Sequence, residues 1–130
     1  MPGRVMIFDD DNDLLEVCTI VLKSKNYIVC SLNKCDDIVE EVKSFLPDVI
    51  LMDNWIPDVG GVKATQSLKS HLELKSIPVV FFSANDRIQD LATEAGADFY
   101  LQKPFEIEDL EMIVSKGVTA RRESKINEMP

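Results

Sequence analysis

The stretch Phe8-Asp9-Asp10-Asp11-Asn12-Asp13 crowds four carboxylates behind the apolar run Val5-Met6-Ile7-Phe8. Carboxylates this close raise one another's proton affinity unless a cation joins them. Three later apolar runs also end in groups that carry chemistry. Asp53 follows Val49–Met52, Ser83-Ala84 follows Val79–Phe82, and Lys103-Pro104 follows the run Asp98–Leu101. A hard divalent ion takes oxygen ligands, and Mg2+ suits a carboxylate set that leaves positions for water and a phosphate. Lys103 supplies a compact positive charge for an anionic phosphoryl group. Ser83 can donate a hydrogen bond to the same group, and Ala84 leaves room beside it. An aspartate next to Mg2+ and a lysine can attack phosphorus and form an acyl phosphate. Asp53 is the candidate nucleophile, because it stands alone while Asp9 and Asp10 form a metal-binding pair.

These residues are useful together only if the fold brings them to one place. Five short apolar runs recur about every 20 residues and predict strands: Val5–Phe8, Tyr27–Cys30, Val49–Met52, Val79–Phe82 and Asp98–Leu101. Between them, helical spacing predicts one helix over Leu14–Leu22, a second through Ile38, Val42 and Phe45, and a third over Val62–Leu72. A fourth is predicted over Asp86–Ala95, ended by Gly96. The fifth runs from Ile107 to about Arg122, with acids in its first turn and Arg121 and Arg122 near its end, matching the helix dipole. Strands separated by helices run parallel, so the chain reads as a (βα)5 unit with helices on both faces of a five-stranded sheet. The loops after the strand C-termini then open on one edge, where such sheets bind ligands.

Composition sets limits on the function. The 130 residues are 45% hydrophobic with five glycines and six prolines, which suits one globular domain. A net charge of −9 argues against phosphate-backbone binding by the chain itself. One histidine, His71, excludes sites that need several imidazoles; it is expected to be exposed. Cys18, Cys30 and Cys35 lack metal-ligand spacing and read as reduced thiols. No apolar run reaches the roughly 20 residues of a membrane span, and no charged-then-apolar leader opens the chain, so a cytoplasmic location is expected. Residues 1–122 read as one domain; the polar 123–130 read as a frayed tail that could begin a linker.

The paired acids Asp9-Asp10, Asp53-Asn54-Trp55-Ile56-Pro57 with Gly61, Ser83-Ala84, and Lys103-Pro104-Phe105, each after its own strand, resemble the receiver domain of two-component response regulators. The resemblance covers nearly the whole chain, and four motifs in this order are specific. It implies a flavodoxin-like fold with strand order 2-1-3-4-5, an order known both in flavodoxin and in a member of this family. It further implies that Asp53 is phosphorylated. Asp10, Asp53 and the backbone carbonyl of Trp55 would ligate Mg2+, and Asp9 would act mainly through metal-bound water. Ser83 and Lys103 would hold phosphoryl oxygens, Tyr100 would be the switching aromatic, and Lys103–Pro104 would be a cis peptide. The implied partners are a sensor histidine kinase or histidine phosphotransfer protein, and a downstream protein that reads the fourth helix, fifth strand and fifth helix around Ile88, Tyr100 and Ile107. Asp11 and Asp13 match no site position and are expected to start the first helix. Trp55 is bulkier than the usual residue two beyond the acceptor. With Asn85 it flanks the path of an attacking water, so slow hydrolysis of the phosphoaspartate is expected. Gly60 stands where many members have Asp, and the Gly60-Gly61 pair is expected to loosen the start of the third helix without removing a ligand.

Two other readings compete. A haloacid-dehalogenase-type phosphatase would use Asp9 as nucleophile within Asp9-Asp10-Asp11, but the chain is short for that class and lacks a cap. A receiver-like adaptor would bind partners without phosphorylation, although no site position is missing. A calcium-binding EF-hand loop starting at Asp9 fails, because Leu14 and Ile20 occupy the positions of its required glycine and glutamate.

Overall fold

A computed structural model of the chain describes residues 2–57 and 59–128. The strands are β1 (Arg4–Phe8), β2 (Ile28–Leu32), β3 (Val49–Asp53), β4 (Val79–Ser83) and β5 (Phe99–Gln102). The helices are α1 (Asn12–Ser24), α2 (Ile38–Phe45), α3 (Gly61–Lys69), α4 (Ile88–Ala95) and α5 (Ile107–Glu128). All strand pairs are parallel, and the sheet order is β2-β1-β3-β4-β5. The flavodoxin-like architecture with order 2-1-3-4-5 is therefore the one observed.

Alternation along the strands divides the core in two. Val5, Ile7, Leu51 and Phe82 pack under α1 and α5, while Met6, Phe8, Ile50 and Met52 pack under α2 and α3. The central strands β3 and β4 are buried at every position, as strands covered on both faces must be. The edge strand β5 is only half-buried, with Tyr100 and Gln102 exposed.

Local chemistry sets the helix ends. Asp11 is the N-cap of α1, its carboxylate accepting from the amides of Asp13 and Leu14, so the third aspartate serves the helix and not the metal pair. Asp37 caps α2 in the same way through the Glu40 amide. Gly96 closes α4 at φ 80°, a conformation glycine adopts without steric cost. Gly117 lets α5 lie close on β3, since a Cβ there would come within 2.4 Å of Val49 Cγ2.

Three expectations need correction. The third helix stops at Lys69 rather than Leu72, because the Lys69 ammonium bonds the carbonyls of Lys75 and Ile77 and the Asp98 carboxylate, turning the chain back. Leu72 is 79% exposed and offers no burial to extend the helix. His71 is half-buried in that turn rather than exposed, with Nδ1 out of solvent. The stretch 123–128 is not frayed: α5 continues through Glu128. No Gly or Pro stands among residues 123–128, and Arg121 donates to Ser76 Oγ while Lys125 faces Asp48 at 3.8 Å. Residues 129 and 130 of the expected tail lie outside the described residues.

Candidate functional site

The C-terminal ends of β1, β3, β4 and β5 bring the predicted groups to one rim. Asp9 leaves β1 with its amide bonded to the Leu32 carbonyl at 3.1 Å, which turns its side chain inward; the residue is 1% exposed. Asp10, next in sequence, faces outward and is exposed. Asp53 and Ser83 are the last residues of their strands, and both are buried. Lys103 follows β5 and is held in register by its amide, which bonds the Ser83 carbonyl at 2.9 Å.

The Lys103 ammonium bridges two of the acids. Nζ lies 2.5 Å from Asp9 Oδ2 and 3.2 Å from Asp53 Oδ1, and 4.5 Å above the Phe82 ring centroid. A cation over an aromatic face gains further electrostatic attraction, so Phe82 belongs to the site. Nothing in its place within an apolar strand marked that role. The Lys103–Pro104 peptide is cis.

Burial pushes Asp53 up from the usual carboxylate range to about 6, and the neighbouring Asp9 charge adds to this. The Lys103 ammonium and the Trp55 amide, which hydrogen-bonds the Asp53 carboxylate, pull the other way. Asp9 is likewise raised by burial, against the bonds from Lys103 and from the Asp11 amide. Burial works against charge on Lys103, yet its two carboxylate partners outweigh it and raise its pKa. The site holds more negative charge than one ammonium balances.

That excess defines what the site can hold. Asp9, Asp10 and Asp53 each offer a carboxylate oxygen, all within 4.8 Å of one another. Three hard oxygen donors with uncompensated charge fit a divalent cation such as Mg2+. Asp9 has both oxygens engaged, Oδ1 by the Asp11 amide at 2.9 Å and Oδ2 by Lys103. Asp53 is bonded by Lys103 and by the Trp55 amide, so the exposed Asp10 is the least committed donor.

The remaining predicted residues surround this centre. Ala84 and Asn85 are exposed at the rim, and Ser83 Oγ accepts from the Asn85 amide at 3.1 Å. The Asn85 side chain does not hang free beside Asp53: Oδ1 accepts from the Arg87 amide at 2.8 Å. Trp55 is 71% exposed, so it is not the packing residue that a lone tryptophan usually is. Tyr100, 45% exposed, pairs in register with Phe81 and makes no hydrogen bond to the acids or Lys103 among the described residues. Gly61 presses on the acceptor's backbone; a Cβ there would lie 2.0 Å from the Asp53 carbonyl oxygen. Its place in the Gly60-Gly61 pair was visible in the sequence, but this approach was not. Beside Lys103 opens a groove of about 460 Å3 lined by Leu14, Val17, Ala84, Pro104, Phe105 and Ile107, among others.

Comparison with known proteins agrees with this geometry. A model of the response regulator receiver domain matches residues 5–115. The DNA-binding response regulator MtrA of Mycobacterium tuberculosis is 30% identical over 112 residues, covering 85% of this chain and 48% of MtrA. The transcriptional regulator NtrC of Proteus hauseri is 28% identical over 95% of this chain and 26% of its own length. The chain thus spans about half or less of the curated relatives it matches. Among solved structures, the receiver domain of the sensor histidine kinase PA1611 of Pseudomonas aeruginosa superposes with a TM-score of 0.83 at 23% identity, covering 92% of this chain and 99% of that one. That crystal structure has a magnesium ion coordinated in its active-site cleft. With the family model spanning most of the chain and the acids, hydroxyl and lysine on one rim, this chain belongs to the response regulator receiver domain family, the phosphorylated modules of two-component signalling.

Proposed function

We propose that Asp53 accepts the phosphoryl group. The observation that carries this reading is the Lys103 ammonium reaching Asp53 at 3.2 Å, with Ser83 at the end of the adjacent strand. The Asp53 carboxylate attacks phosphorus of a phosphohistidine, the P–N bond breaks, and the histidine departs with its electron pair as an acyl phosphate forms on Asp53. Lys103 and the Ser83 hydroxyl hold the phosphoryl oxygens, and Ala84 leaves space for them. Asp10, Asp53 and the Trp55 carbonyl would hold Mg2+, and Asp9 would act on it through water. When bound there, the ion offsets charge on the phosphoryl oxygens.

The donor is a sensor histidine kinase or a histidine phosphotransfer protein. The apolar groove beside Lys103 supports a protein donor, since it offers contact area next to the acceptor. The phosphorylated domain signals through α4, β5 and α5, with Tyr100 as the switching side chain, to a downstream protein rather than to nucleic acid. It works in the cytoplasm, as a switch and not a metabolic enzyme. No helix among the described residues is long and apolar enough to cross a membrane. Residues 1–122 form the receiver. Slow self-dephosphorylation ends the signal; the exposed Trp55, with Asn85, walls the path of the attacking water.

The dehalogenase-type reading, with Asp9 as nucleophile, is disfavoured because Asp9 is buried with both oxygens engaged. The test is a beryllofluoride titration in the presence of Mg2+, followed by the emission of Trp55. A saturable change that Asp53→Asn abolishes supports the proposal. A change that survives Asp53→Asn but is lost in Asp9→Asn overturns it.

A further inference from the structure

β2 closes one edge of the sheet, with β1 as its one neighbour among the described strands. The Ile28 amide donates to the Gly3 carbonyl at 2.9 Å, and the Leu32 carbonyl accepts from the Asp9 amide at 3.1 Å. Backbone groups alternate in direction along a strand, so Ile28, Cys30 and Leu32 turn theirs toward β1. Val29 and Ser31 turn theirs outward, where no strand meets them among the described residues. An open row of this kind is a template for another strand.

Sheet edges are ordinarily protected from such pairing by charged side chains, proline or a bulge. The β2 segment Ile28-Val29-Cys30-Ser31-Leu32 contains neither charge nor proline, and its register with β1 is regular over all five residues. Ile28 is 42% exposed and Ser31 is exposed, so the helices on either face do not cover this edge. The other edge, β5, has four residues bounded directly by Asp98 and Lys103.

Charge along the strand direction says which partner fits. Lys23 and Lys25, both exposed, stand before the start of β2. Asp36 and Asp37 stand beyond its end, at the same end of the sheet as Asp10, Asp11 and Asp13. Lys34 offsets one charge of the acidic end, and Glu111 lies 3.4 Å from Lys25 at the other. A second copy added in parallel sets like ends together, whereas one added antiparallel sets the acidic end of each against the lysines of the other.

We propose that β2 pairs antiparallel with β2 of a second copy about a twofold axis at Cys30, joining the two sheets into one of about ten strands. In this register Val29 and Ser31 of one copy exchange backbone hydrogen bonds with Ser31 and Val29 of the other, which satisfies every outward group of both strands. Cys30 faces its own counterpart as a non-hydrogen-bonded pair with Cα atoms about 4.5 Å apart, a separation that a disulfide spans. The pairing uses neither the Asp53 rim nor β5, so it stands independently of the phosphoacceptor proposal.

The test is sedimentation velocity of the full chain over a concentration series up to about 1 mM, the weak end of specific association. It is paired with oxidation by diamide at about pH 9, where more of the thiol is ionised. Diamide takes two electrons and two protons from two thiols as the S–S bond forms. The wild type should dimerise as concentration rises and form an interchain disulfide that Cys30→Ser abolishes; Cys18 and Cys35 are buried. Ser31→Pro removes an N–H that the monomer's ladder does not use, so the fold should survive. Two interchain bonds are lost, and the dimer should weaken about tenfold or more. Ser31→Lys, a charge at an exposed edge position, should weaken it too, and it decides the matter if circular dichroism shows the proline variant unfolded. A wild type that stays monomeric at about 1 mM would overturn the proposal. So would a dimer that keeps its affinity in the folded Ser31 variants, the mark of another face, or one whose interchain disulfide fails to form or forms without Cys30.

Discussion

Replacing Asp53 by Asn should stabilise the fold, by an amount that depends on pH. Asp53 is 5% exposed and its carboxyl is pushed up from 3.8 to about 6, first by burial and then by the Asp9 charge. The folded state therefore binds the proton more tightly than the unfolded chain, and stability falls as pH rises from about 4 through 6. The difference of about 2 pH units corresponds to about 3 kcal/mol above that window, and water at the rim brings this to about 2 kcal/mol. An uncharged amide at 53 removes the penalty while still accepting from Lys103. At about 2.1 cal/mol/K per residue, unfolding 130 residues carries an entropy of about 0.27 kcal/mol/K, so 2 kcal/mol is about 7 °C. Thermal unfolding without divalent ions should give Asp53→Asn a Tm about 7 °C above wild type at pH 8 and within about 2 °C at pH 4. Equal or lower stability of the variant at pH 8, or a difference that does not shrink toward pH 4, would refute the electrostatic reasoning.

Other expectations follow from single positions. Gly61→Ala drives a Cβ to 2.0 Å from the Asp53 carbonyl oxygen, so it should cost about 1–3 kcal/mol in denaturant unfolding and weaken beryllofluoride binding as well. Gly117→Ala meets Val49 Cγ2 at 2.4 Å and should cost a similar 1–3 kcal/mol while leaving the distant acceptor site able to bind. Leu46 caps α2 at φ 54° with its side chain 61% exposed, a left-handed conformation that suits glycine. Leu46→Gly should therefore raise stability by about 0.5–1 kcal/mol, measured by the shift of the urea midpoint. Trp55→Asn should shorten the lifetime of the phosphorylated form, followed by its decay after the donor is removed; an unchanged lifetime would show that the exposed ring does not hinder water.

The parts of this structure readable from sequence were those fixed by short-range physics. Continuous apolar runs marked β1, β3 and β4 because both their faces are covered, and the mixed polar and apolar run Asp98–Gln102 marked an edge. Asp11 could be assigned to a helix cap because capping needs only its own amides two and three residues on. The acids, Ser83 and Lys103 could be placed on one rim because parallel topology sends every strand end there. Features that depend on long-range contacts were not readable. The early end of α3 depends on Lys69 reaching Asp98 across 29 positions, and α5 is tethered by Ser76 and Asp48 from distant loops. Neither the Phe82 ring under Lys103 nor the side-chain bond of Asn85 has a sequence signal, since Phe in a strand and Asn in a loop are ordinary. Strand order came from the family resemblance, because periodicity does not specify which strands pair.

The most direct test is intact-mass measurement after incubation with acetyl phosphate, with and without Mg2+, on the wild type, Asp53→Asn and Asp9→Asn. The wild type should gain one phosphoryl group only when Mg2+ is present, and Asp53→Asn should gain none under any condition. Labelling that persists in Asp53→Asn, or that maps to Asp9, would contradict Asp53 as the acceptor.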